Sequence, residues 1–329
     1  MMNKFIVIGS NSFSGAHLVD LLLENKNNDV IGIDRQAKGP LFLPYLRQDS
    51  KQFHYFDFDL NHDTDAIAGL IMNAQPDYII NFAALSEVAP SWEHPDQWYE
   101  TNVVALTRLI NKIKTLPSLK KYTHISSPEV YGTCEGNVTE ASPMNPTTPY
   151  AASKAAADFS LMTFYKNFNF PLVLMRATNV YGEHQQLFKI IPRTIIYQKM
   201  GRRIPLHGGG VAVKSYIHIK DVSRGYLAGA LLGRPGEIYH LSPDRGIAVR
   251  DVVQTICNYM GTNFDDAVSI VEERLGQDRA YVIDSTKART EFGWYPVITM
   301  EQGLKSTVDW VERYWNEIQA QPLEYIHVA

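Results

Sequence analysis

The sequence is poor in cysteine, with only Cys134 and Cys257 among its 329 residues. Two cysteines do not make the disulfide framework of a small secreted domain, and they fit a reducing compartment. The apolar run near the N-terminus, FIVIGS, is too short for a signal peptide or for a membrane span. We therefore expect a soluble, cytoplasmic protein that has no membrane partner.

A strong excess of charge is also missing. The chain has 31 lysine and arginine residues against 35 aspartate and glutamate residues, which gives a net charge of −4. Binding of nucleic acid needs a concentrated basic face, so we expect no nucleic-acid partner. The 10 histidines form neither an HExxH motif nor a close Cys/His spacing, and we therefore expect no metal site.

Strand-like and helix-like stretches alternate through the first half of the chain. Near-continuous apolar strands alternating with helices predict an α/β fold, a Rossmann-type doubly wound parallel sheet covered on both faces. The predicted strands are FIVIG, DVIGID, FHYFDFDL, DYIINFAAL, KYTHISS and PLVLMRATNVYG. The predicted helices cover roughly Ala16–Glu24, Ala66–Ala74, Gln97–Leu116 and Tyr150–Asn167.

After Gly182 the predicted elements become shorter and mixed, which indicates a smaller mixed α/β domain. We expect residues 1–182 and about 214–236 to form the large domain. The smaller domain would then hold about 183–213 and 237–329. The cleft between the two domains is the expected ligand site.

The turn from Gly9 to Gly15 joins the first predicted strand to the first predicted helix. Gly9 would permit a tight turn, Gly15 would let the helix pack close to the strand, and Ser12 has a hydroxyl that can donate to a phosphate. A pyrophosphate binds well at a helix N-terminus, and Phe13 belongs to the same turn. Glycine-rich turns are common, so the turn alone leaves an ordinary βα connection open.

Asp34 favours the cofactor interpretation of this turn. It ends the second predicted strand, where an acid binds both hydroxyls of an adenosine ribose and repels a 2′-phosphate. This position favours NAD over NADP as the cofactor. Arg35 follows directly and can hold a 2′-phosphate, so NADP stays open at this point.

Tyr150 and Lys154 are the candidate catalytic pair, since residues four apart share one face of a helix. A lysine ammonium favours tyrosinate, so Tyr150 can act as a base. Ser127, at the end of a parallel strand, can hydrogen-bond the same substrate oxygen. A second YxxxK, Tyr216 to Lys220, lies in strand-like sequence, where its ends would be roughly 13 Å apart and unable to cooperate.

These residues belong to a wider set of motifs that covers nearly the whole chain. The set comprises the turn Gly9–Gly15, Asp34, DFDL, NFAA, TNV, SSPEVYG, PYAASKAAAD, RATNVYG and GQDRAYVIDSTKARTEFGWYP. With these motifs the chain resembles the extended short-chain dehydrogenases/reductases of the NAD-dependent nucleotide-sugar epimerase/dehydratase family. It is most similar to the nucleotide-diphosphate-sugar 4,6-dehydratases.

The resemblance implies roles for further residues. It implies an NAD-binding large domain, with cofactor contacts from Asp59, Leu60, Ala83, Tyr150 and Lys154. It also implies a nucleotide-sugar-binding smaller domain, in which Asn179, Lys214 and Arg279 are candidates for holding the diphosphate. The helices at Gln97–Leu116 and Tyr150–Asn167 would form the four-helix interface of a homodimer. Gln185 and Gln186 are expected to line the sugar pocket.

Glu129 and Pro128 bear on the reaction that the resemblance implies. An acid at Glu129 resembles the 4,6-dehydratases and the uronic-acid decarboxylases, because C4 epimerases have a small or apolar residue there. The dehydratase scheme uses this carboxylate to remove the C5 proton. Pro128 departs from the glucose-type dehydratases, which have an aspartic acid at this position, whereas the GDP-mannose type has serine. The departure leaves open an enzyme that oxidises C4 and stops.

Other functions are ranked behind dehydration. Val282–Ala288 resembles the dehydratase version of its motif, which places a uronic-acid decarboxylase lower, and Glu129 places a C4 epimerase lower still. A non-catalytic NAD-binding regulator on the same fold is disfavoured by Ser127, Tyr150 and Lys154. A steroid- or flavonoid-type reductase is disfavoured by Asp34 and by Arg279.

Overall fold

The computed structural model describes residues 3–48, 51–134, 136–273 and 280–328. Seven of the described strands form one parallel sheet in the order β11-β6-β5-β4-β1-β2-β3. These strands are β1 Asn3–Ile8, β2 Asn28–Asp34, β3 Phe53–Asp57, β4 Tyr78–Asn81, β5 Lys121–Ile125, β6 Leu172–Ala177 and β11 Ile238–Leu241. The predicted Rossmann-type doubly wound fold is confirmed.

Helices cover both faces of this sheet because its strands are apolar on both sides. On one face, α2, α5 and α6 pack over Ile6, Ile79 and Tyr122, and on the other α1 and α8 pack over Val7 and Ile80. The bounds are α1 Phe13–Leu23, α2 Thr64–Ala74, α3 Val88–Glu93, α4 Pro95–Tyr99, α5 Leu106–Ile113, α6 Pro149–Phe168, α7 Ile190–Lys199 and α8 Ile219–Leu232.

The predicted helix Gln97–Leu116 is interrupted. Between α4 and α5 the chain forms a π-helical turn, Glu100–Ala105. The side chain of Asn102 explains this turn, since its Oδ1 accepts from Leu85 N at 2.9 Å and its Nδ2 donates to Leu85 O at 3.0 Å and to Ser153 Oγ at 2.9 Å. The widened turn reaches the loop after β4 and the helix α6.

The second half of the chain forms smaller sheets and a further group of helices. β8 Ile204–His207 pairs with β13 Val268–Val271, and β9 Val213–Lys214 lies between β12 Ile247–Ala248 and β14 Ala280–Tyr281. β7 Asn179–Tyr181 pairs with β10 Tyr216–His218. The helices are α9 Val249–Met260, α10 Phe264–Ala267, α11 Thr286–Phe292, α12 Met300–Arg313 and α13 Trp315–Gln319.

The predicted domain boundary at residue 237 was wrong for one strand. Ile238–Leu241 pairs in parallel with β6 and completes the large sheet, so it does not belong to the smaller lobe. The physical reason is that α8 packs on the large sheet and returns the chain to β6, where Ile238–Leu241 adds the edge strand. Among the described residues, no helix is both long and apolar enough to cross a membrane.

Candidate active site

The turn between β1 and α1 is held closed by Ser12. Its hydroxyl donates to Gly9 O at 2.6 Å and accepts from Gly15 N at 3.1 Å, which makes Ser12 the N-cap of α1. The Ser12 proton is thus used inside the turn rather than offered to a ligand. Gly9 has a φ of 79°, and a side chain there would meet Ala83 N at 2.7 Å, so only glycine fits.

A cavity beside this turn is lined by many of the residues predicted to bind the cofactor. Its lining includes Gly9, Ser12, Asp34, Asp59, Leu60, Ala83 and Thr101. The Asp34 carboxylate accepts from Asn11 N at 2.9 Å and from Gln36 N at 3.1 Å. Burial raises the pKa of Asp34, and the hydrogen bond from Asn11 opposes that change. The carboxylate is therefore fixed in direction at the end of β2.

Arg35 also lines this cavity, and its guanidinium has protein partners there. It lies 3.5 Å from the Asp59 carboxylate and donates to Val328 O at 2.8 Å. A guanidinium turned toward these two partners does not present its donor fork to a ribose phosphate.

A second, larger cavity adjoins the first, and Ser12, Phe82 and Ala84 line both. The structure brings most of the predicted catalytic and substrate residues together here. The lining includes Phe13, Ser127, Pro128, Glu129, Tyr150, Lys154, Asn179, Gln185 and Gln186. Tyr216, the tyrosine of the second YxxxK, lines it as well, whereas Lys220 lies 3.4 Å from the Glu183 carboxylate and does not line it.

Tyr150 and Lys154 lie one turn apart on α6 and are both buried. Lys154 Nζ donates to Ile125 O at 2.8 Å and lies 3.2 Å from His124 Nε2. Burial lowers the pKa of Lys154 to about 8. Burial also lowers the pKa of His124, with the neighbouring ammonium acting in the same direction, so its imidazole is neutral and accepts from Lys154.

The surroundings of Tyr150 act mainly against its ionisation. Burial raises the pKa of the phenol, and the carboxylates of Glu129 and Glu87 raise it further. A hydrogen bond with the Ser127 side chain lowers it. Ser127 and Glu129 line the same cavity as Tyr150, so these three side chains border one space.

Ser127 and Glu129 are positioned by a 3-10 turn, Pro128–Tyr131, at the carboxyl end of β5. The Ser127 hydroxyl accepts from Glu129 N at 3.2 Å, and Pro128 occupies the first position, where a missing N–H has no cost. The proline therefore starts the turn that places Glu129 and puts no acid at its own position.

A buried network of polar side chains connects the 3-10 turn Pro128–Tyr131 to the neighbouring elements. Asp158 Oδ2 accepts from Ser126 Oγ and from Arg176 Nη2, each at 2.7 Å. Arg176 also bonds the hydroxyl of Tyr131, and that hydroxyl lies 2.8 Å from His240 Nε2. The network ties the 3-10 turn to α6 and β6.

Sequence reasoning missed a charged pair of the site, Lys189 with Glu87, and the neutral imidazole of His124. Lys189 lines the larger cavity, and its Nζ donates to both carboxylate oxygens of Glu87, at 2.7 and 2.9 Å. His124 lies beneath Lys154. Glu87 and Lys189 are 102 positions apart, and no local pattern marks them as a pair.

One predicted substrate residue, Lys214, is not brought to the cavities. Lys214 is buried in β9 and lines neither of the two cavities as the described residues define them. Arg279 lies outside the described residues. Within those residues, no group of three or more His, Cys, Asp or Glu side chains is arranged to hold a metal ion.

The geometry fits a dinucleotide. Gly9 and the Asp34 carboxylate line the smaller of two adjoining cavities, and Ser127, Tyr150 and Lys154 line the larger one. A parallel Rossmann-type sheet with Ser127, Tyr150 and Lys154 around one cavity defines an extended short-chain dehydrogenase/reductase.

Comparisons with known proteins define the family more narrowly. A family model described as GDP-mannose 4,6-dehydratase matches residues 6–307. The dTDP-glucose 4,6-dehydratase of Xanthomonas campestris is 31% identical over 327 residues, covering 94% of this chain and 93% of that protein. The crystal structure of dTDP-glucose 4,6-dehydratase from Bacillus anthracis in complex with NAD has a TM-score of 0.87 at 28% identity, covering 95% of this chain and 98% of that one.

A second solved structure agrees. The dTDP-glucose 4,6-dehydratase double mutant from Streptomyces venezuelae, with NAD bound, has a TM-score of 0.87 at 29% identity, covering 94% of this chain and 98% of that one. The chain belongs to the GDP-mannose 4,6-dehydratase family. It is an enzyme, and its cofactor is NAD.

Proposed function

We propose that this protein catalyses the NAD-dependent 4,6-dehydration of a nucleotide-diphosphate sugar to a 4-keto-6-deoxy sugar. The observation that carries the proposal is that Glu129 lies in the same cavity as Tyr150 and close enough to raise its pKa. A base for the hydroxyl at C4 and a second base for the neighbouring carbon are what an oxidation followed by elimination requires.

Different residues of the two cavities would hold different parts of NAD. Gly9, Ser12, Phe13 and Gly15 form the turn for the pyrophosphate, and Asp34 binds the adenosine ribose. Asp59, Leu60 and Ala83 line the adenosine side, whereas Tyr150 and Lys154 line the opposite side. When bound, NAD accepts a hydride from C4 of the sugar and returns it to C6.

Tyr150 takes the proton of the 4-hydroxyl, with Ser127 as hydrogen-bond donor to the same oxygen. The Lys154 ammonium favours the phenolate that this step needs. His124 and Ile125 O hold the ammonium in place from below.

Glu129 takes the proton from C5, which the 4-keto group has made acidic. It can pass that proton to the departing C6 hydroxyl, so water leaves without a second acid at position 128. C5 later regains one proton. The proton that Tyr150 took from the 4-hydroxyl balances this uptake. Dehydration is therefore compatible with Pro128.

The substrate assignments stay part of this proposal. Asn179 lines the larger cavity and is a candidate for the diphosphate. Lys189, held by Glu87, supplies the cation on this side of the cleft. Lys214 and Arg279 stay candidates by family position, and the cytoplasmic location stays a prediction.

Oxidation at C4 without elimination is the second candidate, and Pro128 favours it. Mass spectrometry of products from a panel of nucleotide sugars distinguishes the two. Loss of about 18 mass units supports dehydration, whereas loss of about 2 units with accumulation of NADH supports a 4-dehydrogenase. Glu129→Gln is the matched variant, and it should retain C4 oxidation and lose the elimination. Normal dehydration by this variant would remove Glu129 from the mechanism.

A further inference from the structure

The segment that follows α13 begins on the smaller lobe. Tyr197 of α7 donates its hydroxyl proton to Glu324 Oε1 at 2.7 Å. The ring of Tyr325 packs edge-on against Phe188, with 5.4 Å between the ring centroids. Residues 323–328, which we call the C-terminal strap, are therefore held by the residues just before and within α7.

The other end of the C-terminal strap contacts the large domain. The His327 ring stacks on His94, with 5.0 Å between centroids, and on Trp98, with 5.3 Å. His327 Nε2 lies 2.5 Å from Gln97 Oε1, and its Nδ1 lies 2.9 Å from the Tyr325 hydroxyl. A neutral imidazole satisfies both, since Nε2–H donates to the amide and Nδ1 accepts from the phenol.

Side chains along the C-terminal strap alternate in exposure. Tyr325 and His327 are half-buried, whereas Ile326 and Val328 are 63% and 44% exposed. The backbone contributes an anchor of its own, because Arg35 donates to Val328 O at 2.8 Å. The segment is thus attached through particular residues at its far end, whereas Leu323 packs against an apolar cluster at its start.

These anchors lie beside both cofactor cavities. Arg35 lines the adenosine side, directly after Asp34. Phe188 precedes Lys189, which lines the larger cavity. Lys189 pairs with Glu87, and Phe188 is packed against Tyr325, so this part of the strap lies next to a residue of the larger cavity. Tyr325 of the C-terminal strap therefore packs beside the larger cavity through Phe188, and Val328 is bonded to Arg35 of the smaller cavity.

We propose that the C-terminal strap closes over bound NAD and slows its release, with His327 and Arg35 as its anchors on the large domain. The proposal rests on the proposed function, because a hydride that is taken from C4 and returned to C6 requires the cofactor to stay bound through one turnover. Arg35 serves here to hold the strap, which also keeps its guanidinium from a 2′-phosphate.

The test measures NAD release without any nucleotide sugar. Holoprotein is mixed with alcohol dehydrogenase and ethanol, so that each released NAD is reduced and absorbs at about 340 nm. His327→Ala removes two ring contacts and two hydrogen bonds, and we expect release at least about tenfold faster. Ile326→Ala is the matched control in the same segment, and its release rate should stay within about twofold of the wild type.

An unchanged release rate in His327→Ala would overturn the proposal. If thermal unfolding shows that this variant does not fold, a chain truncated after residue 322 is tested instead. We expect the truncated chain to release NAD at least about tenfold faster as well. Amide hydrogen exchange supplies a second readout, because bound NAD should slow exchange in residues 323–328 of the wild type. Since no sugar is present, failure here leaves the proposed dehydration untouched.

Discussion

Tyr150 and Lys154 lie one turn apart on α6, and we expect their two protons to titrate as a pair. Burial raises the pKa of the phenol and lowers that of the lysine to about 8. Below this pH the pair carries both protons, and Tyr150 cannot accept another. Loss of the first proton, shared between the two groups, allows the tyrosinate–ammonium form that acts as a base.

The pair predicts how activity depends on pH. Because kcat/KM reports the enzyme before the sugar binds, it should rise by roughly tenfold per pH unit and level off above about pH 8. The positive charge of the nicotinamide stabilises the tyrosinate. It therefore lowers the pH at which kcat/KM reaches half of its maximum. A pH profile of kcat/KM for the sugar measures it.

Lys154→Arg is the control for this profile. A guanidinium does not lose its proton in this range, so the rise in kcat/KM should move to higher pH and the maximum should fall. A wild-type rate that is independent of pH between about 6 and about 8 would contradict the assigned roles.

Helix α6 connects the chemistry to the stability of the fold. Tyr150, Lys154 and Asp158 follow at intervals of four, so one face carries the base, its lysine and the acceptor for Arg176. The Arg176 side chain is fully buried, and the ion pair with Asp158 measures 2.7 Å. Removing one partner leaves the other charge in the interior without compensation.

Asp158→Asn should therefore lower the free energy of unfolding by about 3–5 kcal/mol. Chemical denaturation of the holoprotein measures this change. Asp309→Asn is the control, since its pair with Lys305 is exposed on α12 and should contribute nothing measurable. Equal effects of the two substitutions would show that the buried network does not stabilise the turn at Pro128–Tyr131.

Local patterns were sufficient to predict most of the large sheet and the face of α6. Apolar strands and a YxxxK spacing are properties of residues that are close together in the sequence. Both features are present in the structure. The π-helical turn at Asn102 was not predicted, because its cause is a set of hydrogen bonds to Leu85 and Ser153. Strand β11 was assigned to the wrong lobe, since a short buried strand looks the same in either domain.

At the scale of the whole molecule, contacts between distant segments limit what can be predicted from the sequence. Glu87 and Lys189 meet across the cleft, and His327 meets Gln97 although the two are 230 positions apart. No spacing rule connects such residues in a single sequence. The chemistry of the site was predictable from short motifs, whereas its charge balance and the C-terminal strap required the fold.

Dimerisation through α6 and the α4–α5 segment is the assembly that we propose. Phe159 on α6 is 62% exposed, and Tyr99 and Val104 on the partner segment are 40% and 41% exposed. A second copy of the chain would cover these apolar side chains. Phe159→Glu should give a monomer in sedimentation velocity, whereas Ile270→Glu on β13 should not. A Phe159→Glu variant with unchanged mass in solution would exclude this interface.

Return of the hydride to the same sugar is the central claim, and a substrate with deuterium at C4 tests it most directly. The products are examined by mass spectrometry and by NMR after one turnover of the holoenzyme. We predict a product that has lost water and carries the deuterium at C6. Deuterium that leaves with free reduced cofactor, or that is found again at C4, would contradict 4,6-dehydration.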